Sequence, residues 1–156
     1  MKNTLIIAAL SFFLAANLSA QNSDVLLNTQ GKYVNSAGEF LTGSLEFFYA
    51  TGQRESFYEV SNGIKDGQMI VYNINGTTKE VGAFNNGLKV GEWRSYNDKG
   101  VLESLAFYKN DLKHGTWKVW DAQGVLRSEM HYHNGARVGN WKSFDENGKM
   151  IESVNY

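Results

Sequence analysis

The sequence contains 156 residues, with 15 Lys and Arg, 16 Asp and Glu, 16 Gly, and neither Pro nor Cys. The formal net charge of −1 excludes a simple electrostatic nucleic-acid binder, which needs a basic surplus to neutralise phosphates. The absence of cysteine excludes a disulfide scaffold, a thiolate metal site and a cysteine nucleophile. The length predicts one domain, and the many glycines predict hairpin turns that need positive φ.

The first twenty residues have the layout of a secretory signal peptide. Lys2 supplies a positive start, residues 5–16 form an apolar run, and the small residue Ala20 precedes a cleavage point. The apolar run is too short for a comfortable membrane span. We therefore expect residues 1–20 to be a signal peptide that exports the protein to the periplasm, the cell envelope or the medium. The mature chain is expected to have no transmembrane span.

A unit of 24 residues recurs along most of the remaining chain. Gly-x-Trp triplets begin at Gly91, Gly115 and Gly139, and stepping back by 24 residues finds weaker copies that begin at Gly67 and Gly43. In each unit an aromatic residue follows three positions after the Trp position, then a polar turn that ends in Gly, and then a strand that ends in an aromatic residue or, in the first unit, in valine.

These copies predict five tandem units over residues 43–156. Residues 21–42 are out of phase with them, and we expect an N-terminal segment there with a capping strand near Lys32–Asn35. Because a single hairpin is marginal in water, neighbouring units must stack to stabilise one another.

Apolar residues within each unit alternate with a period near two, which is typical of half-buried strands. In the fourth unit Leu126, Met130 and Tyr132 share one parity, whereas Arg127 and Glu129 share the other. Two strands in each of five units predict an all-β protein. Its fold would be an elongated antiparallel β-meander of about ten strands, built from tandem 24-residue β-hairpin repeats.

Two kinds of turn are predicted between these strands. The loop Asn97–Gly100 and its copies resemble a type I turn whose glycine adopts the left-handed region and forms a bulge. The dipeptide Asn86-Gly87 and its copies are strong signals for a tight reversal. One copy reads Asn110-Asp111, and Asp is among the few residues that tolerate the left-handed region.

The hairpin register decides which face carries Trp93, and two registers are open. If Gly100 is a bulge residue, Tyr96 faces Leu102 and Trp93 lies on the opposite, mixed face. If the loop is a plain four-residue loop, Tyr96 pairs with Val101 and Trp93 joins the face of Leu102. A slip of one residue exchanges the two faces.

The repeated pattern is Asn-Gly, three residues, Gly, one residue and Trp, followed by an aromatic residue, a turn glycine and a strand that ends in Tyr. It is carried by Asn86–Trp93, Lys113–Trp117 and Asn134–Trp141, with a weaker copy at Lys65–Gly67. This pattern resembles the bacterial MORN-variant repeat. The resemblance implies a scaffold for contacts with proteins or phospholipid, without catalytic residues. It also implies the YwqK-type antitoxin label that such proteins often carry.

A column of cations recurs at one turn position of every unit. It consists of Lys65, Lys89, Lys113 and Arg137. Equivalent residues of consecutive units lie two strands apart, about 10 Å at the ordinary strand spacing. Such a cation ladder would attract anionic lipid, acidic glycan or an acidic protein partner in a salt-sensitive way. The alternative is that these residues are solvated turn residues that keep the sheet soluble.

A column of indoles, Trp93, Trp117 and Trp141, is the second candidate binding feature. One interpretation is that the indoles pack on strand neighbours and on the stems of long charged side chains. The other is an exposed aromatic stripe that binds a sugar ring or a partner protein.

Chemistry-bearing motifs are otherwise weak. His131, His133 and Glu129 lie close in sequence, but one strand separates alternate residues by about 7 Å, so we expect no metal site. No nucleophile or phosphate-binding motif is present. We therefore expect no catalytic residue, no cofactor and no enzyme activity. The last strand is expected to present an unpaired edge. One interpretation is that another copy or a partner strand adds to this edge, and the other is a frayed, twisted edge that Glu152 and Asn155 protect.

Together these features predict a non-catalytic exported β-repeat scaffold that mediates protein–protein contact in the cell envelope. The first alternative is a binder of anionic lipid or glycan that uses the cation ladder and the Trp column. The second is an antitoxin-like protein that neutralises a cognate toxin.

Overall fold

The structure, a computed structural model, describes residues 24–156; the predicted signal peptide at residues 1–20 lies outside the described residues. Residues 24–156 form strands, turns and bends without any helix, so the predicted all-β class is confirmed. No helix that could span a membrane is found in this range. In chain order the strands are β1 (Leu26–Leu27), β2 (Tyr33–Val34), β3 (Gly43–Phe48), β4 (Arg54–Ser61), β5 (Ile64–Tyr72), β6 (Thr78–Asn85), β7 (Leu88–Tyr96), β8 (Leu102–Lys109), β9 (Leu112–Lys113), β10 (Gly115–Trp120), β11 (Leu126–His133), β12 (Ala136–Arg137), β13 (Asn140–Phe144) and β14 (Met150–Asn155).

Ten of these strands form one antiparallel meander in which each strand lies beside its neighbours in sequence. The order runs β3-β4-β5-β6-β7-β8-β10-β11-β13-β14, with β9 paired to β8 and β12 paired to β11. The short strands β9 and β12 are the beginnings of the first strands of the last two units, which are interrupted at His114 and at Val138. The predicted meander of hairpins is therefore confirmed.

Strands β1 and β2 form a separate two-stranded sheet beside the first hairpin. The Tyr33 amide donates to the Gly63 carbonyl at 2.8 Å. A Cβ added at Gly63 would lie 2.7 Å from the carbonyl oxygen of Tyr33, so this close approach requires glycine. The N-terminal sheet is thereby fixed to the turn between β4 and β5.

The longer loops follow the predicted turn geometry. Gly100 has a φ of 80°, in the left-handed region, and its copies Gly124 and Gly148 have 82° and 77°. The Asn97 side-chain oxygen accepts hydrogen bonds from the amides of Lys99 and Val101, each at 3.0 Å. An Asn or Asp at this position therefore holds the loop closed, and the last four copies of the loop begin with one of these residues, whereas the first begins with Tyr49.

The tight turns have positive φ at both central residues, as type I′ turns require. Asn86 and Gly87 have φ values of 47° and 82°, and Asn110 and Asp111 have 51° and 65°. Each turn also docks on the preceding unit, since the Gly87 amide donates to the Lys65 carbonyl at 2.8 Å. The tight turns thus close a hairpin and join consecutive units.

The observed register combines parts of both predicted registers. Tyr96 faces Leu102, as the bulge-turn register requires, but Trp93 faces Ala106 because Glu103 is an extra residue in β8. This second bulge, which was not predicted, brings Ala106 and Tyr108 onto the face of Trp93, whereas Leu102 stays with Tyr96 on the opposite face. The same register shift precedes the equivalent aromatic residues of the other four units, Phe48, Tyr72, Trp120 and Phe144.

The bulge also interrupts the alternation of apolar side chains that was predicted for the second strand of the fourth unit. Leu126 lies opposite Trp120, whereas Met130 lies opposite Trp117, and the register shifts between these pairs. Leu126 therefore does not keep the phase of Met130 and Tyr132, and the prediction of one shared parity was wrong.

The core of this single-layer sheet is small. Met69, Trp93 and Ala106 are buried. Partly buried side chains pack against them from neighbouring strands, namely Tyr58, Val71, Phe84, Tyr108 and Trp117. Every residue of β14 is exposed, and association through that strand stays a prediction. The buried centre therefore lies on the face that carries Trp93.

Candidate functional site

A continuous row of aromatic rings crosses the face that carries Trp93. Starting at Phe84, the successive centroid separations are 5.2 Å to Trp93, 5.9 Å to Tyr108, 5.1 Å to Trp117, 5.4 Å to Tyr132, 5.1 Å to Trp141 and 4.8 Å to Tyr156. All of these separations fall in the range of favourable aromatic pairs. The row arises because the indole of each unit alternates with the aromatic residue that ends the unit.

Each cation of the predicted column lies on this row of rings. The Lys89 Nζ is 3.9 Å from the Trp93 ring centroid and 5.2 Å from that of Tyr108. The last two units repeat this arrangement, with Lys113 over Trp117 (4.4 Å) and Tyr132 (4.9 Å) and Arg137 over Trp141 (4.6 Å) and Tyr156 (5.2 Å). The two predicted columns therefore form one surface. We call it the cation–aromatic ladder.

The ladder begins with a variant of this arrangement. Met69 occupies the position that Trp93 holds in the next unit, and the Lys65 Nζ lies 4.0 Å from the Tyr58 centroid and 5.2 Å from that of Phe84. Burial lowers the pKa of Lys65 below its usual value, and the nearby positive charge of Lys89 lowers it further. The surroundings of Lys65 thus disfavour its charged form.

The ladder cations have no carboxylate partner in the part of the chain that the structure describes. The ion pairs there involve other cations, among them Arg54, Arg94 and Lys118. Arg137 donates a hydrogen bond from Nη1 to the Tyr156 hydroxyl at 3.1 Å, which is a neutral partner. Within the described residues the positive charges of the ladder therefore rest on ring faces without an ion pair, and Glu80 acts on Lys65 only from beyond ion-pair distance.

The indoles do not form an exposed stripe. Trp93 is only 3 % exposed, and Trp117 and Trp141 are partly buried. The Trp117 Nε1 donates to the Phe107 carbonyl at 2.9 Å, and the Trp141 Nε1 donates to the His131 carbonyl at 3.0 Å. The indoles therefore pack on their strand neighbours, which was the first of the two interpretations. The second interpretation, an exposed aromatic stripe, was wrong for Trp93. A binding role of the column stays a prediction.

Trp93 departs from its two copies because of a single glycine. Its Nε1 donates to the Val90 carbonyl at 3.2 Å, within its own strand. The ring lies directly on Gly82, where an added Cβ would overlap three ring atoms. The equivalent positions in later units hold Ala106 and Met130, so only Trp93 has room to lie flat on the backbone.

A second cluster is centred on Glu129. Its carboxylate lies 3.3 Å from Lys118 Nζ, 3.4 Å from Lys142 Nζ and 3.6 Å from His131 Nε2. Burial alone would raise the pKa of Glu129, but hydrogen bonds from Lys118 and Lys142 outweigh it and hold the pKa below the usual value. This cluster is internally paired, unlike the ladder.

The histidines of β11 contact different neighbours. His131 contacts Thr116, with 3.1 Å between Nδ1 and Oγ1, whereas the His133 ring lies 5.0 Å from the ring of His114. Between residues 24 and 156 no group of three or more His, Cys, Asp or Glu residues is arranged to hold a metal ion.

Sequence reasoning found the residues of the ladder but missed their contact. The recurrence of a cation four residues before each Trp, as in Lys89 and Trp93, is the signal that would have revealed it. On a regular strand this spacing places two side chains on one face, and the glycine between them leaves the ring uncovered.

No curated protein matches the sequence significantly. The family model described as MORN repeat variant matches residues 89–110, 113–134 and 137–156. Such repeats are generally interaction repeats that contact proteins or membranes, and they are generally not catalytic. The three matched stretches each contain one ladder cation together with the two rings that it contacts. The C-terminal part of this chain is therefore similar to a tandem array of MORN repeat variants.

Proposed function

We propose that this protein is a non-catalytic, exported β-repeat scaffold that mediates protein–protein contact in the cell envelope through the cation–aromatic ladder. The observation that carries the proposal is the regular row of cations that rest on rings and lack acidic partners within residues 24–156. A cation that is already held against a ring loses less freedom on binding than a mobile surface lysine. Carboxylates of an acidic partner would complement this row.

Export is the sequence-based part of this proposal. It is supported by the positive start at Lys2, the apolar run of residues 5–16 and the small residue Ala20. N-terminal sequencing of the protein recovered from the cell envelope tests it, because export with cleavage predicts a mature chain that begins at Gln21.

The contact surface is tested with two variants of equal charge. The ladder variant replaces Lys65, Lys89, Lys113 and Arg137 with Gln. The matched control replaces Lys79, Lys99, Lys109 and Lys149 with Gln, and so removes the same charge away from the ladder.

In pull-downs from envelope fractions, we expect the wild type and the control to retain the same partner and the ladder variant to lose it. The loss should be about tenfold, because four charged contacts of a few tenths of a kcal/mol each, together about 1.4 kcal/mol, are removed. Equal retention by the ladder variant would contradict the proposal.

A binder of anionic lipid or glycan is the second candidate, and two exposed leucines favour its lipid form. Leu88 is 41 % exposed and Leu112 is 49 % exposed, and each directly precedes a ladder cation, Lys89 or Lys113. Aliphatic side chains next to cations are typical of surfaces that lie in the membrane interface.

Sedimentation with phosphatidylglycerol vesicles tests the lipid form, and retention on a dextran sulfate column tests the glycan form. Replacing both leucines with Ser should weaken vesicle binding and leave dextran sulfate binding unchanged. Both interactions should fall steeply with salt, whereas salt-independent binding would contradict this candidate.

An antitoxin-like role is the remaining proposal, and it rests on the YwqK-type resemblance. In that case the same ladder would neutralise one cognate toxin. The test expresses the leaderless chain in cells that also produce a toxin encoded by a neighbouring gene. Rescue by the wild-type leaderless chain, together with loss of rescue in the ladder variant, would support this role. Failure of the wild-type leaderless chain to rescue would contradict it.

A further inference from the structure

A cavity of about 460 Å³ lies between the N-terminal sheet and the first hairpin. Its wall contains three aromatic rings, Tyr33 from β2, Phe47 from β3 and Tyr58 from β4, together with aliphatic side chains such as Leu26. An apolar cavity with few polar groups is the usual form of a small-molecule site. The cavity is separate from the contacts of the ladder in the last three units.

The three rings lie close enough to act on one ligand. The centroid separations are 6.2 Å from Tyr33 to Phe47, 5.9 Å from Phe47 to Tyr58 and 6.4 Å from Tyr33 to Tyr58. A cation above such a triangle lies within the roughly 6 Å reach of cation–π attraction for all three rings. The three rings, which we call the aromatic cage, therefore form one wall on which a cation would lie.

Two of these rings are departures from the repeat. Where the first unit has Tyr58, the next two units have Gly82 and Ala106. Where the first unit has Phe47, the third unit has Ser95. The repeated hairpin fold is thus built without large rings at these positions, so their presence beside the cavity is specific to this end of the sheet.

An acidic side chain completes the wall. Glu55 lines the cavity and is the extra residue of the first bulge, because Phe48 faces Arg54 while Phe47 faces Ser56. Bulges redirect side chains next to binding sites. Glu55 makes no ion pair within the described part of the chain, and its charge is therefore available to a ligand.

From this geometry we infer that the cavity binds a small quaternary ammonium group such as that of choline. The methyl groups of such a cation suit an apolar wall and leave no N–H group without an acceptor. The π-faces and the Glu55 carboxylate supply the negative potential that the positive charge requires.

Lys65 allows a test of whether the cavity attracts its ligand through the ligand's positive charge. Its Nζ lies 4.0 Å from the centroid of Tyr58, so a like charge is already next to the cage. Replacing Lys65 with Met removes that repulsion, and we expect choline binding to strengthen by roughly threefold. The same substitution should weaken the binding of an acidic partner to the ladder. The two proposals therefore predict opposite effects of Lys65→Met on binding.

The direct experiment is a titration of the full chain with choline. Binding is measured by calorimetry and by the changes in the amide NMR shifts of Tyr33, Phe47 and Tyr58. The neutral isostere 3,3-dimethylbutan-1-ol is titrated in parallel. We expect the isostere to bind about tenfold more weakly, because it fills the same volume without the cation–π attraction. Equal binding of the two compounds, or binding of neither, would overturn the inference.

Variants separate ligand recognition from folding. Glu55→Gln should weaken choline binding by about fivefold, whereas Glu103→Gln, at the same bulge position two units later, should leave it unchanged. Tyr58→Leu should weaken binding by about tenfold, with an unchanged circular dichroism spectrum as the check on folding. Unchanged binding by both the Glu55 and the Tyr58 variants would refute the site.

Two sources of the group are distinguished with vesicles. Binding of choline together with phosphatidylcholine vesicles would support a lipid headgroup as the ligand, whereas binding of choline alone would support a free small molecule. A triple variant that keeps Lys65 and replaces only Lys89, Lys113 and Arg137 with Gln should bind choline normally, so failure of the ladder proposal and failure of this inference can be told apart.

Discussion

Gly82→Ala is the substitution whose effect follows most directly from the geometry of the core. Trp93 lies on the backbone of Gly82, and an added Cβ would overlap three atoms of the indole. The ring has little room to move, because Phe84 and Tyr108 pack against it at 5.2 Å and 5.9 Å. One added methyl group must therefore displace the most deeply buried aromatic side chain of the sheet.

The expected cost combines two opposing terms. Overpacking of a core by one methyl group destabilises by about 1–3 kcal/mol. Replacing glycine with alanine within a strand recovers about 0.5–1 kcal/mol of backbone entropy. Because Gly82 does not have positive φ, backbone strain adds nothing further. We therefore expect Gly82→Ala to lower the free energy of unfolding by about 1–2 kcal/mol.

A double-mutant cycle with Trp93→Leu isolates the contact. Urea unfolding monitored by circular dichroism gives the free energy of unfolding of the wild type, the two single variants and the double variant. In the Trp93→Leu background, Gly82→Ala should be neutral or stabilising, because no ring lies over the new methyl group. An equal destabilisation in both backgrounds would refute the reasoning.

Three further predictions concern the turns and the Glu129 cluster. Asn97→Ala should destabilise by about 1 kcal/mol in urea unfolding, because two side-chain hydrogen bonds are lost, whereas Asn97→Asp should be nearly neutral. Gly135→Ala, at a φ of 86°, should cost about 1–2 kcal/mol, and Gly135→Asn should cost less because Asn tolerates the left-handed region; equal costs would contradict the turn assignment. The pKa of Glu129 is depressed from 4.5, so its ion pairs stabilise the fold above that pH and are lost as the pH falls through the lower, folded-state pKa. A pH series of unfolding measurements should show this loss in the wild type and not in Glu129→Gln, and identical curves would contradict it.

The repeat and its turns could be predicted from the sequence because each depends on local chemistry. The dipeptide Asn86-Gly87 tolerates positive φ at both positions, and a loop that begins with Asn97 can accept its own amides. Such signals recur every 24 residues and fix the places where the chain reverses.

The second bulge could not be predicted, because its extra residues share no chemistry. They are Glu55, Lys79, Glu103, Arg127 and Ile151. Since this bulge decides which residues of the second strand share the face of Trp93, the register of the hairpins had to remain open. Contact between the ladder cations and the rings depends on that register, and so it was missed as well.

The aromatic cage is beyond sequence reasoning for a different reason. Tyr33, Phe47 and Tyr58 come from three strands, and Tyr33 lies outside the repeat altogether. Only the docking of the N-terminal sheet on the turn at Gly63 places the three rings together.

The central claim is that the cations and the rings form one surface, and lysine side-chain NMR tests it most directly. We predict upfield ring-current shifts for the Hε protons of Lys89 and Lys113, ordinary shifts for Lys99, and loss of the Lys89 shift in Trp93→Leu. Ordinary Hε shifts for Lys89 and Lys113 in the wild type would contradict the account.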